Sequence, residues 1–395
     1  MPTEKDSKTE PTNVIDSDYE LVRKEIVTDC NLIVVKVGTR VLTHPGGGID
    51  QQHITQLAND LCDLVAKGRR VVLVSSGAVG AGMSQLKLAN RPTDVAQLQA
   101  VAAIGQAHLI NIYNETIKAR GYHAAQVLLT ADDLNDRARY LNVRNTLFSV
   151  MSLGAIPIIN ENDTVAVEEL VATFGDNDRL AALVTNLLQA RLLIILSDIE
   201  GLYDRHPDDP AATLVDTVMS IDECVMKFVS DRKNQLSRGG MSSKINAAKA
   251  VTNAGENVII ARGRRPHVLK DICDGKKIGT LFIAKGKSVT PRKRWISSSV
   301  QPRGKLFLDD GAIRAVREQG RSLLPIGITE VEGDFEKGDA VSLFDGAGRE
   351  IARGLTNYDA AEIRLIQGRN STEIEQLLKH AGYTEVVHRN NLALI

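Results

Sequence analysis

The stretch LIVVKVGTRVL, Leu32 to Leu42, decides the fold. Its apolar residues are mostly β-branched and do not alternate with polar ones, which predicts a strand buried on both faces of a parallel sheet. One lysine, Lys36, interrupts the run. Lysine is almost never fully buried without a partner, because an unpaired ammonium in an apolar interior is costly. Either Lys36 snorkels from the end of an edge strand, or something anionic comes to meet it.

Working outward, similar runs recur: RRVVLVSSG, AAQVLLT, IPIINEND, RLLIILSD and NVIIARG. Between the first two strands lies DQQHITQLANDLCDLVAKG, where Ile54, Leu57, Leu61 and Leu64 or Val65 share a helical face. Asp50 can cap its start and Gly68 its end. Strands alternating with helices predict an α/β fold, a mainly parallel sheet covered on both faces. The polar and glycine residues collect at the carboxyl ends of the strands: Gly38 and Thr39, Ser75 to Gly77, Asn160 to Asp163, Ser197 and Asp198. Ligands of open α/β sheets bind outside those ends. The pattern therefore describes one polar site with Lys36 at its floor.

A length of 395 residues suits two or three domains with sizeable cores. With 48 basic and 49 acidic residues, bulk charge nominates no polyanionic partner. No apolar run approaches the roughly 18 residues of a membrane span. The first twenty residues carry six acidic and two basic side chains, too acidic for a transit peptide and too polar for a signal peptide. Residues 1–29 read as a disordered tail. Cys30, Cys62, Cys224 and Cys273 stand singly, which argues against structural zinc or a disulfide framework and suits a cytoplasmic location. The charged segment DDLNDRARYLNVRNT reads as a solvated helix face.

Near residue 290 the character changes. PRKRWISSSVQPRG reads as a linker over 291–302, followed over 303–381 by short glycine-punctuated strands and one helix, GAIRAVREQG, and by a tail over 382–395. Two glycine stretches suit phosphate, SSGAVGAGM and RGGMSSK, the latter with a lysine before a helical run. Taken alone, each is more often a tight turn than a phosphate cradle, and neither matches a P-loop or a G-x-G-x-x-G fingerprint.

Taken together, VVKVGTRVL, VLVSSGAVGAG, PIINENDTVA, FGDNDRLAALV, LSDIEGLYDRHP and GGMSSK resemble the amino acid kinase family over about residues 30–290. Within that family the resemblance is to its glutamate-phosphorylating branch. It implies a three-layer α/β/α sandwich. SLLPIGITEVEGDFEKGDAV and IARGLTNY resemble a PUA domain, a small β-barrel-like module.

By residue, the resemblance implies Lys36 and Lys244 as the phosphate-stabilising pair, with Asp178 holding them in place. Ser76, Asp163 and Asn177 would bind glutamate. Ser197, Asp198, Gly239, Gly240, Met241, Ser242, Ser243 and Lys244 would bind ATP together with Lys36. Arg238 stands where many members have threonine, which puts that one nucleotide contact in question. The implied cofactor is Mg²⁺ carried by ATP, with no metal held by the protein. The implied partners are a separate glutamyl phosphate reductase, proline as feedback inhibitor, and further copies of the chain in a homo-oligomer. A PUA domain also raises a rival reading, an RNA-binding or RNA-modification protein. Against it, the module has no run of aromatics for base stacking and no strong basic excess.

Overall fold

The computed structural model describes residues 19–44, 48–166, 177–230, 240–284, 291–370, 373–378 and 383–395. They divide into two compact units. One comprises Met1–Thr130 and Thr146–Gly286, the other Ala131–Asn145 and Lys287–Ile395.

In the first unit, β1 (Leu32–Val37), β2 (Arg70–Ser75), β3 (His123–Leu129), β4 (Ala155–Glu161), β5 (Leu192–Ser197) and β7 (Asn257–Arg262) are the six strands expected from sequence. Two short ones join them, β6 (Thr217–Val218) and β8 (Thr280–Phe282). The order is β3-β4-β2-β1-β5-β7-β8-β6, and every pairing is parallel except β7 with β8. The four strands with polar carboxyl ends, β4, β2, β1 and β5, are therefore consecutive neighbours in the sheet.

Alternation along β1 assigns its two faces. Ile33, Val35 and Val37 join one hydrophobic core with Ile54, Leu57 and Leu61 of the helix Gln51–Ala66 and with Leu109, Ile112 and Tyr113 of the helix Val95–Ala119. Each such fully buried side chain stabilises the fold by roughly 1.5–3 kcal/mol. Lys36 points the opposite way, toward the helix Asn177–Leu188, which packs over β1 and β5. β1 and β5 are buried throughout, as strands in the middle of a covered sheet should be.

Part of the expected N-terminal tail is ordered structure. Residues 1–18 lie outside the described residues, but Tyr19–Thr28 is a helix. Arg23, Val27 and Cys30 fall on one buried face. Arg23 is accommodated because its guanidinium donates to the carbonyls of Ile278, Asp216 and Gly279. Those acceptors lie some 190–260 residues away, so a count of local charge misses them.

The second unit holds a five-stranded sheet in the order β10-β9-β11-β12-β13. Its strands are β9 (Gly304–Leu308), β10 (Ile328–Gly333), β11 (Ala340–Phe344), β12 (Glu350–Leu355) and β13 (Leu392–Leu394). Three expectations are corrected here. The linker is largely a helix, Pro291–Ser298, with Trp295 and Ile296 buried. The C-terminal tail supplies β13 and the buried pair Val386 and Val387. The segment read as a solvated face contains buried Leu134 and Tyr140. The Trp295 indole donates to the Leu134 carbonyl at 3.2 Å, and Tyr140 meets the Trp295 ring edge-on. Arg137 lies 5.3 and 5.2 Å from the Tyr140 and Trp295 ring centres. An aromatic pair with a cation over both faces draws this segment into the second unit.

Candidate active site

Lys36 is the second-to-last residue of β1 and lies opposite Val74 of β2 and Ile195 of β5. It is 5% exposed. Its Nζ sits 2.6 Å from Asp178 Oδ1, so the buried charge has a partner within the protein itself. Asp178 opens the helix Asn177–Leu188, where a carboxylate also faces the positive end of the helix dipole. Its second oxygen accepts from Lys244 Nζ at 3.1 Å and from Ser243 Oγ at 3.2 Å. Burial alone would raise the Asp178 carboxyl, but Lys36 and then Lys244 outweigh it and hold the group below the ordinary carboxylate range. Each ammonium has three donors, so bonding to Asp178 does not by itself exhaust either.

Lys244 arrives from the other side. The helix Met241–Asn253 starts at Gly240, and its first turn carries Ser242, Ser243 and Lys244. Met241 is buried and Ser242 exposed. Gly239 and Arg238 lie outside the described residues.

Next to this cluster, a chain of side-chain amides fixes the ends of β2 and β4. Glu161 N donates to Asn160 Oδ1 at 2.9 Å, so Asn160 must turn its nitrogen to Gln106 Oε1, 2.7 Å away. Asn177 faces three acceptors: Ser76 Oγ at 2.9 Å, Asn160 Oδ1 at 3.2 Å and the Ser75 carbonyl at 3.3 Å. Its nitrogen must point there, which leaves Asn177 Oδ1 buried without a donor among the described residues. A buried acceptor in that state costs roughly 1–3 kcal/mol, and a donor on a ligand would recover it. Ser75 Oγ lies 3.2 Å from the buried Tyr113 hydroxyl.

The helix Ala78–Gln85 follows Ser76 directly, entered through Gly77 in the left-handed region at φ 100°. It lies backbone-to-backbone on the helix Val95–Ala119. A Cβ on Gly82 would fall 1.9 Å from the Val101 carbonyl oxygen, and one on Gly105 would fall 1.9 Å from the Ala78 oxygen. Glycine at both positions therefore sets where the Ser76 end of the site lies.

The structure thus joins Lys36, Asp178 and Lys244, and separately Ser76 and Asn177, the two groups being linked by the adjacency of Asn177 and Asp178 in the chain. Asp163 is half-buried in the turn after β4, and its charge acts on Arg91. Ser197 closes β5 next to Gly38, whose N–H donates to the Leu196 carbonyl at 3.2 Å. Ser197 Oγ donates to Asp198 at 3.0 Å, and Arg40 pairs with Asp198 at 2.9 Å. Burial would raise the Asp198 carboxyl, and the bonds from Arg40 and Ser197 bring it below its usual range. Ser75 and Asn160 are named from sequence only among the polar strand ends, without a role, and Gln106 and Arg40 go unassigned there; Gln106 stands as a polar residue in the mostly apolar run VAAIGQAHLI.

A mainly parallel sheet with two lysines and a carboxylate clustered at its carboxyl edge suits handling of a phosphorylated ligand. The pattern of the amino acid kinase family matches residues 31–262, and this chain belongs to that family. A PUA domain pattern matches residues 304–378. Among relatives, a Glutamate 5-kinase of Rhodopirellula baltica is 48% identical over 373 residues, 94% of this chain and 96% of that one. A Glutamate 5-kinase of Thioalkalivibrio sulfidiphilus is 46% identical over 363 residues, 92% of this chain and 96% of that one. Among solved structures, a carbamate kinase from Giardia lamblia bound to AMP-PNP matches with a TM-score of 0.46 at 18% identity, covering 65% of this chain and 100% of that one. The curated relatives span the PUA region as well, so that module accompanies the kinase in them, and the RNA-protein reading is not retained. Among the described residues, no helix is long and apolar enough to cross a membrane.

Proposed function

We propose that this chain transfers the γ-phosphoryl group of ATP to the side-chain carboxylate of L-glutamate, giving L-glutamyl 5-phosphate and ADP. The relatives support the substrate. The observation that carries the chemistry is the sharing of Asp178 by Lys36 and Lys244 at the carboxyl end of β1.

A glutamate γ-carboxyl has a reference pKa of about 4.3, so at neutral pH the nucleophile is already ionised and no general base is required. One carboxylate oxygen forms a bond to the γ-phosphorus, the bond from that phosphorus to the β,γ-bridging oxygen breaks, and ADP leaves with the electron pair. The obstacle is repulsion between two anions. For a single pair of unit charges at 4 Å and an effective dielectric constant near 20 it amounts to about 4 kcal/mol. Lys36 and Lys244 are placed to offset that repulsion and to stabilise charge on the transferring group, while Asp178 keeps both ammonium groups aligned.

Ser76, Asn177 and Asp163 would bind glutamate, Asp163 facing its α-ammonium. N-acetylglutamate has no such cation and would leave the carboxylate opposed or unpaired. Ser197, Asp198 and the stretch from Gly239 to Lys244 would hold the nucleotide. Phosphoryl transfer from ATP calls for a divalent metal, and we assign Mg²⁺. Both Asp178 oxygens are taken by lysines, and no group of three or more His, Cys, Asp or Glu side chains suited to a metal occurs among the described residues. The ion therefore fits as part of Mg–ATP, held chiefly by the phosphates, and it supplies further positive charge there when bound.

The product is a labile acyl phosphate. We assign its consumption to a separate glutamyl phosphate reductase on a route to proline, with proline as feedback inhibitor. A cytoplasmic homo-oligomer is the proposed working form. The test is ADP release with glutamate, aspartate and N-acetylglutamate in turn. Glutamate alone should be turned over rapidly. No turnover with glutamate refutes the function, and equal turnover of acetylglutamate refutes the role of Asp163.

A further inference from the structure

The segment after the Lys36 strand rests on residues that sequence motifs do not single out. β7 ends at Arg262, and the next residue, Gly263, donates its N–H to the Ser197 carbonyl at 2.7 Å. A Cβ on Gly263 would lie 2.7 Å from Val41 Cγ1 and 3.0 Å from Leu196 Cβ, so no side chain fits between this turn and the four-residue helix Thr39–Leu42. Arg264 then applies its guanidinium to that helix and to Thr43 and Asp50 beyond its end. Nε donates to the Arg40 carbonyl at 3.3 Å, Nη2 to the Thr43 carbonyl, and Nη1 to Asp50 Oδ2 at 3.1 Å.

Asp50 ties the same segment down elsewhere. Its carboxylate caps the helix Gln51–Ala66 through His53 N at 3.0 Å, and its own N–H donates to the Leu42 carbonyl at 2.8 Å. His44 Nδ1 lies 3.6 Å from it. A helix of four residues cannot satisfy its own terminal carbonyls, and two of the oxygens Arg264 takes, those of Arg40 and Thr43, are of that kind. The side chain carried by the held backbone is Arg40, whose guanidinium bonds Asp198.

We propose that Arg264 is a positioning residue for the nucleotide end of the site: by holding the Arg40 and Thr43 carbonyls and Asp50, it fixes the segment from which Arg40 reaches Asp198. This rests on the kinase reading above. The glutamate end hangs from β2, β4 and the helix Asn177–Leu188, whereas the three acceptors of Arg264 all lie between Arg40 and Asp50. The effect is therefore directional. Loss of Arg264 acts chiefly on ATP, and on glutamate only through the packing of Leu42 and Thr43 beside Gly77 and Gly80.

The experiment compares Arg264→Met, Arg264→Lys, Arg40→Gln and the Arg264→Met/Arg40→Gln double variant in the full chain. It measures KM for Mg–ATP, KM for glutamate and kcat, together with calorimetric titration of Mg–AMP-PNP. Arg264→Met should raise KM for ATP and weaken analogue binding by about five- to tenfold, with KM for glutamate changed less than about twofold. Arg264→Lys, which reaches one acceptor but not all three, should fall between. The double variant should be no weaker than the weaker single one, because both changes remove one pathway. Additive losses, or equal rises in both KM values, would overturn the positioning role. If the unsubstituted chain binds the analogue but does not turn over glutamate, the kinase reading fails while the analogue titration still decides for or against Arg264. If it does not bind the analogue at all, both fail.

Discussion

Replacing Asp178 with asparagine keeps the shape of the side chain and its place in the first turn of its helix, and removes only the charge. At 2.6 and 3.1 Å from two ammonium groups, and with an effective dielectric constant near 20, the carboxylate has gross attractions of about 6 and 5 kcal/mol. Desolvation of three nearly buried ions offsets most of this, and breaking such a cluster by removing one member typically costs about 3–5 kcal/mol. For a unit of this size that loss lowers Tm by roughly 6–20 °C. The two lysines, no longer aligned, should lose transition-state charge stabilisation worth at least about 10² in kcat. The assay is ADP release at saturating ATP and glutamate, run at a temperature where the variant is still folded, beside thermal unfolding followed by circular dichroism. A variant with lowered Tm but unchanged kcat would refute the alignment role, and one with neither change would refute the pairing itself.

The same cluster makes a pH prediction. The folded Asp178 carboxyl titrates below its unfolded value of about 3.9, so its contribution is fully present above that pH and is lost as pH falls through the folded value. The stability gap between the wild-type chain and Asp178→Asn should therefore be constant from about pH 5 to 7 and narrow below about pH 4. A gap that widened on acidification would contradict the sign.

Lys36→Met should cut kcat by about 10²–10³ with a smaller change in KM for glutamate, and should cost less stability than Asp178→Asn, because Asp178 keeps Lys244. Near-normal turnover with altered melting would mark Lys36 as structural. Asp163→Asn should raise KM for glutamate far more than KM for ATP, and an unchanged glutamate KM would exclude its proposed partner. Gly105→Ala places a methyl group where the Ala78 carbonyl lies, so it should destabilise the chain by about 1–3 kcal/mol and raise KM for glutamate by displacing the Ser76 end; a Tm within a degree of wild type would show that the helices part without cost.

The main strands are legible in the sequence because each is an apolar run ended by a polar or glycine residue, and Lys36 is legible because it violates its own run. β6 and β8, two and three residues long, carry no such pattern. Long-range partnerships are the other blind spot. Gln106 and Asn160 meet across 54 positions and Arg264 and Asp50 across 214, and side-chain bonds of that span leave no local periodicity. The helix Pro291–Ser298 is hidden for a different reason: its basic residues resemble a linker until Trp295 and Leu134 are brought together. Family motifs supply what periodicity cannot, the choice of glutamate as substrate, but they give no role to Arg40, which lies within VVKVGTRVL, and do not reach Arg264, which lies beyond GGMSSK.

If the chain is the kinase proposed, an acyl phosphate forms on glutamate, and hydroxylamine intercepts such a species as a hydroxamate. The decisive measurement incubates the unsubstituted chain with Mg–ATP, L-glutamate and hydroxylamine, and quantifies ADP and γ-glutamyl hydroxamate together. Equal amounts of the two are expected, both dependent on glutamate and both abolished by omitting ATP. ADP without hydroxamate, or hydroxamate formed without ATP, would show that no phosphoryl group passes from ATP to the glutamate side chain.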